Sequence, residues 1–247
     1  MNAARSLWRK VEKSVAHRGV LRTLRFGAAA AARKVRDLSP ARRRALAAAH
    51  EAHQEFDREF GVDTGGLISL SDLEVQSENW KLGHRYQPIY QVDFAEILHD
   101  LNPRYEDYTF VDIGSGKGRA LLLAAKLPFR RIIGVEFSRE LHETAERNIR
   151  IYPDDRKACR SIESICMDAL EYPLPDGPLV LYLYNPFERP LMEKLAASVK
   201  QSLKSQPRPL VILYFNPENA DLWRDGDAFQ VVREHSGYHL FRSANAG

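Results

Sequence analysis

Apolar positions along the 247 residues fall into two registers. Up to residue 60 they recur at helical spacing. Leu7, Val11 and Val15, then Leu21 and Leu24 beyond Gly19, predict two short amphipathic helices, and a third runs from Ser39 as cap and Pro40 as first helical residue through Phe56 and Phe60 to Gly61. Residues 61–104 are mixed and predict loop, short element and a helix in "QVDFAEILHDL". After residue 105, strand-like runs ("YTFVDIG", "RIIGVEF", "SIESICMDA", "LVLYLYN", "PLVILYFN") alternate with helix-like runs ("GRALLLAAKL", "RELHETAERNIR", "RPLMEKLAASVKQSL"). That alternation predicts βαβ units: an α/β, doubly wound, mostly parallel sheet with helices on both faces. The closing "QVVREHSGYHLFRSA" has no room for a crossover helix and predicts an antiparallel hairpin around Ser236-Gly237 at the sheet edge. The expected organisation is a basic helical N-terminal arm (1–60), a lid or cap segment (61–104) and a core (105–247).

Charge changes the picture of the arm. The chain carries a net +3, but residues 1–48 hold thirteen Lys/Arg against Glu12 and Asp37, a local +11 that leaves −8 for the remainder. Such asymmetry points to an anionic partner, whether nucleic acid, acidic protein or membrane surface. A solvated helical extension and an Arg- and Ala-rich targeting segment are the other readings the composition allows. At 44% hydrophobic and 28% charged, the chain can bury one sizeable core. The apolar runs are too short for a membrane span. Cys159 and Cys166 fit neither a disulfide framework nor a zinc spacing, so both are expected to be structural in a reducing, cytoplasmic setting. His50 and His53 lie one turn apart with nothing nearby to complete a metal site, and no metal is expected.

Between the first strand and the first helix of the core stands "FVDIGSGKGRALLLAA". Gly114, Gly116 and Gly118 let backbone approach a ligand in the crevice at the carboxyl ends of the strands. A Walker loop would need Gly at Val111, and the dinucleotide fingerprint would need Gly or Ala at Arg119. The pattern is instead D-x-G-x-G-x-G, with Asp112 placed to repel a pyrophosphate and attract an amine. It fits a ligand that bears an amino acid moiety and no phosphate.

These residues resemble the class I S-adenosylmethionine-dependent methyltransferases. "VDIGSGKG" is similar to their first motif, "GVEFS" to the second, "CMDA" to the third and "YLYNPF" to the fourth, and the likeness covers about residues 85–247. The resemblance implies S-adenosyl-L-methionine as cofactor and a seven-stranded sheet with an antiparallel terminal strand. It further implies that Gly114, Ser115, Gly116 and Gly118 pass under the methionine part, that Glu136, followed by Phe137, binds both ribose hydroxyls, and that Met167, Asp168 and Ala169 frame the adenine. A carboxylate accepts two hydroxyl bonds at once, which supports the role of Glu136 independently. Tyr86 and Pro88 in "RYQPIY" stand where related enzymes place a lid over the cofactor.

Asn185, Pro186 and Phe187 resemble the [DN]-P-P-[FY] loop of amino-group methyltransferases, with the second Pro missing. They are the expected catalytic residues. Asn216-Pro217 is expected to be a turn. Further likeness to the histone-lysine methyltransferase group without a SET domain, and to its bacterial relatives, keeps a protein lysine among the acceptors. Methyl transfer is an in-line displacement at a sulfonium, so the protein aligns rather than activates; Tyr86, Tyr184 or Phe187 would face the charge. The expected function is methyl transfer to an unidentified acceptor, a nitrogen by the fourth motif. A noncatalytic adenosylmethionine-binding module and, more remotely, an NAD-dependent oxidoreductase are the alternatives.

Overall fold

A computed structural model of the chain describes residues 51, 54–68, 83, 86–89, 94–101, 103–224 and 226–244. The basic residues 1–48, His50 and His53 lie outside them. The strand-like runs form the strands expected of them. The sheet is built of β1 (Thr109–Ile113), β2 (Arg131–Glu136), β3 (Ile162–Cys166), β4 (Leu179–Tyr184), β5 (Leu210–Phe215), β6 (Phe229–Glu234) and β7 (Tyr238–Ser243), in the order β3-β2-β1-β4-β5-β7-β6. The first five strands pair in parallel, and β7 lies antiparallel between β5 and β6. The predicted edge hairpin is therefore present, with a register shift between Val231 and Arg233 on the outer strand.

Strand alternation divides the core in two. Phe110, Val180, Tyr182, Val211 and Leu213 face one side, while Val111, Ile113, Leu181, Leu183 and Ile212 face the other. Among the described residues the α-helices are α1 (54–60), α2 (Phe94–Leu98), α3 (Arg119–Ala124), α4 (Arg139–Ile151), α5 (Arg189–Ser205) and α6 (Asp221–Arg224). Phe56, Phe60, Phe94, Leu98 and Leu121 cover the first face, and Leu191, Leu195, Val199 and Trp223 cover the second. Helices on both faces are what a parallel sheet requires, because both of its surfaces are apolar.

Helix α1 ends at Gly61, whose φ of 65° is in the left-handed region, and the Val62 N–H returns to the Asp57 carbonyl at 3.0 Å. That closure is the Schellman arrangement that satisfies a helix C-terminus. Phe56 and Phe60, counted with the arm by their spacing, pack against Tyr152 with ring centroids 6.3 and 4.9 Å away. The compact unit that carries the sheet begins at Ala52.

Strand β1 has β2 on one side and β4 on the other, so chain connections leave it in opposite directions. This switch point opens a crevice at the carboxyl ends of β1 and β4, where open α/β sheets bind ligands. Cys166, expected to be buried, ends β3 exposed. The burial tendency of cysteine lost there to a strand near the sheet edge. Among the described residues no helix is long and apolar enough to cross a membrane, and no group of His, Cys, Asp or Glu could hold a metal ion.

Candidate functional site

Strand β1 delivers Asp112 to the crevice, and the chain then turns through Gly114, Gly116 and Gly118 with φ of 78°, 54° and 83°. Three left-handed positions in five residues are accessible at low cost only to glycine. The N–H groups of Gly114 and Ser115 donate to the Val135 carbonyl at 2.9 and 3.2 Å, which fastens the turn to β2. A Cβ at Gly114 would come within 3.3 Å of the Pro186 Cβ, so the glycine turn and the Asn-Pro loop lie against each other.

Glu136 ends β2 buried beneath the turn. One carboxylate oxygen accepts from the Gly116 N–H at 2.8 Å and the other from the Ser138 N–H at 2.9 Å. Burial pushes its pKa up to about 7, against the pull of those N–H donors, which favour the charged form. Asp112 is also buried. Desolvation first, and then the charge of Glu136, holds its carboxyl well above the usual carboxylate range. Two carboxyls so placed form a pocket suited to an amine and to hydroxyls, and hostile to phosphate.

Asn185 follows β4 with φ 41° and is 4% exposed. The Tyr214 hydroxyl donates to its Oδ1 at 2.9 Å and itself accepts from the Asn219 N–H at 3.3 Å. Phe187 is buried and bridges to Gly83 in an antiparallel contact. Tyr86 reaches the crevice from the segment that precedes α2: its hydroxyl donates to the Thr64 carbonyl at 2.6 Å, and burial raises its pKa above that of a free phenol.

The crevice is thus lined by Tyr86, Asp112, Gly114, Ser115, Glu136, Phe137 and the Asn185–Phe187 loop. Gly116 and Gly118 shape the turn without lining the crevice. Met167, Asp168 and Ala169 follow β3 one strand away and do not line it either. The Met167 N–H donates to the Glu136 carbonyl at 3.0 Å, while Asp168 Oδ1 accepts from the Leu170 N–H at 2.9 Å. Asn216 adopts φ 48° after β5 and belongs to a turn.

Six further lining residues were not singled out from the sequence: the apolar Ile89, Ala120 and Leu141, and the polar Gln87, Arg119 and Tyr182. Arg119 could have been found as a charged residue opening the otherwise apolar run "RALLLAA". Tyr182 and Gln87 gave no signal of their own; the Gln87 amide donates to the Tyr184 hydroxyl at 3.3 Å.

Residues 111–185 match the model of a family described as a methyltransferase domain, a stretch that runs from β1 through the glycine turn and Glu136 to Asn185. The sheet, the glycine turn and the matched segment agree with a methyltransferase domain that uses S-adenosylmethionine. Solved structures similar to the protein include an RNA methyltransferase from Salinibacter ruber in complex with S-adenosyl-L-homocysteine, at 20% identity and a TM-score of 0.41 over 60% of this chain and 88% of that one. A putative methyltransferase from Escherichia coli is similar at 16% identity and a TM-score of 0.44 over 72% and 98%. A predicted N6-adenine-specific DNA methylase from Listeria monocytogenes is similar at 16% and 0.47 over 63% and 51%. No curated protein matches the chain.

The residues present fit S-adenosylmethionine. Ser115 Oγ is buried beside the turn without a hydrogen-bond partner, and the buried Asp112 faces the same crevice. An amine or hydroxyl arriving there would satisfy groups that the fold leaves open.

Proposed function

We propose that the protein transfers the methyl group to a nitrogen presented at the Asn185–Phe187 loop. The observation that carries this reading is the hydrogen bond from Tyr214 to Asn185. Because Tyr214 accepts from the Asn219 N–H, its own proton is directed at Asn185 Oδ1, which holds the amide with its oxygen fixed. An amide oxygen has two lone pairs, and the second is free to accept from an incoming N–H. Bound S-adenosylmethionine supplies an electrophilic methyl on a sulfonium.

In this reading Asp112 takes the cofactor's ammonium and Glu136 accepts from its ribose hydroxyls. The glycine turn admits the methionine part beside its backbone, and the segment after β3, at Met167–Ala169, borders the adenine. Asn185 orients the nitrogen lone pair toward the methyl, Pro186 fixes the loop, and Phe187 with Tyr184 shields the site from water. Alignment of this kind accounts for most of what a methyltransferase must provide. The +11 charge of residues 1–48 supports an anionic acceptor or carrier, docked by its phosphates or carboxylates.

The test is methyl transfer from radiolabelled S-adenosylmethionine into lysate fractionated into nucleic acid, protein and small molecules, with Asn185→Ala as control. A nitrogen acceptor gives label that survives alkali and that the control loses. Label released by alkali as methanol would mark a carboxylate ester and overturn the nitrogen assignment.

A further inference from the structure

Arg119 opens α3 with its side chain in the interior, at 2% exposure. The Phe56 ring covers one face of its guanidinium, 4.3 Å from Cζ. Nη1 donates to Thr64 Oγ1 at 2.8 Å and reaches Asp57 Oδ1 at 3.5 Å. Nε and Nη2 are buried and have no partner. These two nitrogens form one edge of the guanidinium, with parallel N–H groups at the spacing of a carboxylate's oxygens.

A buried cation whose one ion pair is long and bent to one edge is costly, and completing the other edge with an anion removes the penalty. Arg119 is also the one basic side chain among the described residues lining the crevice, across from two buried carboxyls. The amino acid end of S-adenosylmethionine carries an ammonium and a carboxylate, and the crevice offers Asp112 for the first. We propose that Arg119 is the specificity residue for the second: its Nε and Nη2 take the cofactor's α-carboxylate in a two-pronged pair, and this pair separates the intact cofactor from adenosyl compounds that lack the carboxylate. The inference rests on the crevice being the S-adenosylmethionine site.

Titration calorimetry with S-adenosylmethionine and with decarboxylated S-adenosylmethionine tests it, since both keep the sulfonium and the amine. The wild type should bind the intact cofactor at least tenfold more tightly. Arg119→Met should reduce that ratio to near one by weakening the intact cofactor alone, and Arg119→Lys should restore part of it. Should Arg119→Met fail to fold for want of its bonds to Thr64 and Asp57, the ratios of the wild type and Arg119→Lys decide. Equal binding of the two ligands by the wild type overturns the proposal, and so does an equal loss of both in Arg119→Met, which marks a structural role. Failure of the wild type to bind either ligand would instead remove the crevice assignment on which the proposal stands.

Discussion

The ring of Tyr86 occupies the place a side chain at residue 116 would need: a Cβ built on Gly116 would lie 2.2 Å from its Cδ2 and Cε2. The Tyr86 ring and the glycine turn are therefore in direct contact. Gly116→Ala should cost about 1–2 kcal/mol for the left-handed backbone alone, and more for displacing the ring. Tyr86→Ala combined with Gly116→Ala should recover only the second part. Urea unfolding of the three variants measures the split, and calorimetry with S-adenosylhomocysteine should show weakened binding in each.

Glu136 predicts a pH dependence of both folding and binding. Its carboxyl titrates near 4.5 when unfolded and near 7 when folded, so the folded form holds more protons in between. Its contribution to stability is thus full below pH 4.5 and is lost as pH rises to about 7, roughly 3 kcal/mol in all. Cofactor affinity should run the opposite way. Ribose hydroxyls are best accepted by the ionised form, so binding should weaken as pH falls below 7, with proton release seen as a buffer-dependent heat. Glu136→Gln should flatten both profiles; a wild-type affinity constant from pH 5.5 to 8 would remove Glu136 from the ribose site.

Tyr214 and Asn185 should behave as one unit. Tyr214→Phe leaves Asn185 Oδ1 and the Asn219 N–H without that hydroxyl and should cost about 1–2 kcal/mol. Asn185→Ala should cost a similar amount, since it also places alanine at φ 41°. The double variant should lose clearly less than the sum, as coupled partners do. Additive losses in denaturant unfolding would show that the bond is not formed in solution.

Asn148 ties the segment after α1 to the glycine turn. Its amide accepts from the Asp63 N–H at 2.8 Å and donates to the carbonyls of Asp63 at 2.8 Å and Lys117 at 2.9 Å. Asn148→Ala should destabilise by about 2–3 kcal/mol. Asn148→Asp should be worse, because it turns a carboxylate oxygen toward two carbonyls. Equilibrium unfolding ranks the two, and an aspartate variant as stable as the wild type would contradict the bonding pattern.

Removal of residues 1–38 should leave S-adenosylhomocysteine affinity within about twofold and abolish salt-dependent retention on heparin or RNA columns. Equal retention of both proteins would assign polyanion contact to the remaining chain.

The sheet was legible because its strands are short apolar runs punctuated by glycine, proline and helix caps, and each signal is local. "TFVDIG" became β1 and its turn, Ser138 became the cap of α4, and the tail became the hairpin. The glycine turn, Glu136 and the Asn185 loop were legible for the same reason, since each sits where a strand ends. What could not be read depends on contacts between distant parts of the chain. Asn148 meets Asp63 across 85 positions and Arg119 meets Thr64 across 55, and neither residue carries a local pattern that announces its partner. Met167–Ala169 follow β3, one strand farther from the crevice than Glu136 at the end of β2.

The register shift between Val231 and Arg233 bears on behaviour at high concentration. Strand β6 is the outer strand of the hairpin; among the described residues no strand pairs with its other side, and Val231 is exposed there. A straight, apolar edge would template the addition of a strand from another molecule. The irregular ladder at Val231, and the charges of Arg233 and Glu234 beside it, break the repeat that such an addition would need. The irregular ladder and its charges thereby guard this end of the sheet against edge-to-edge aggregation.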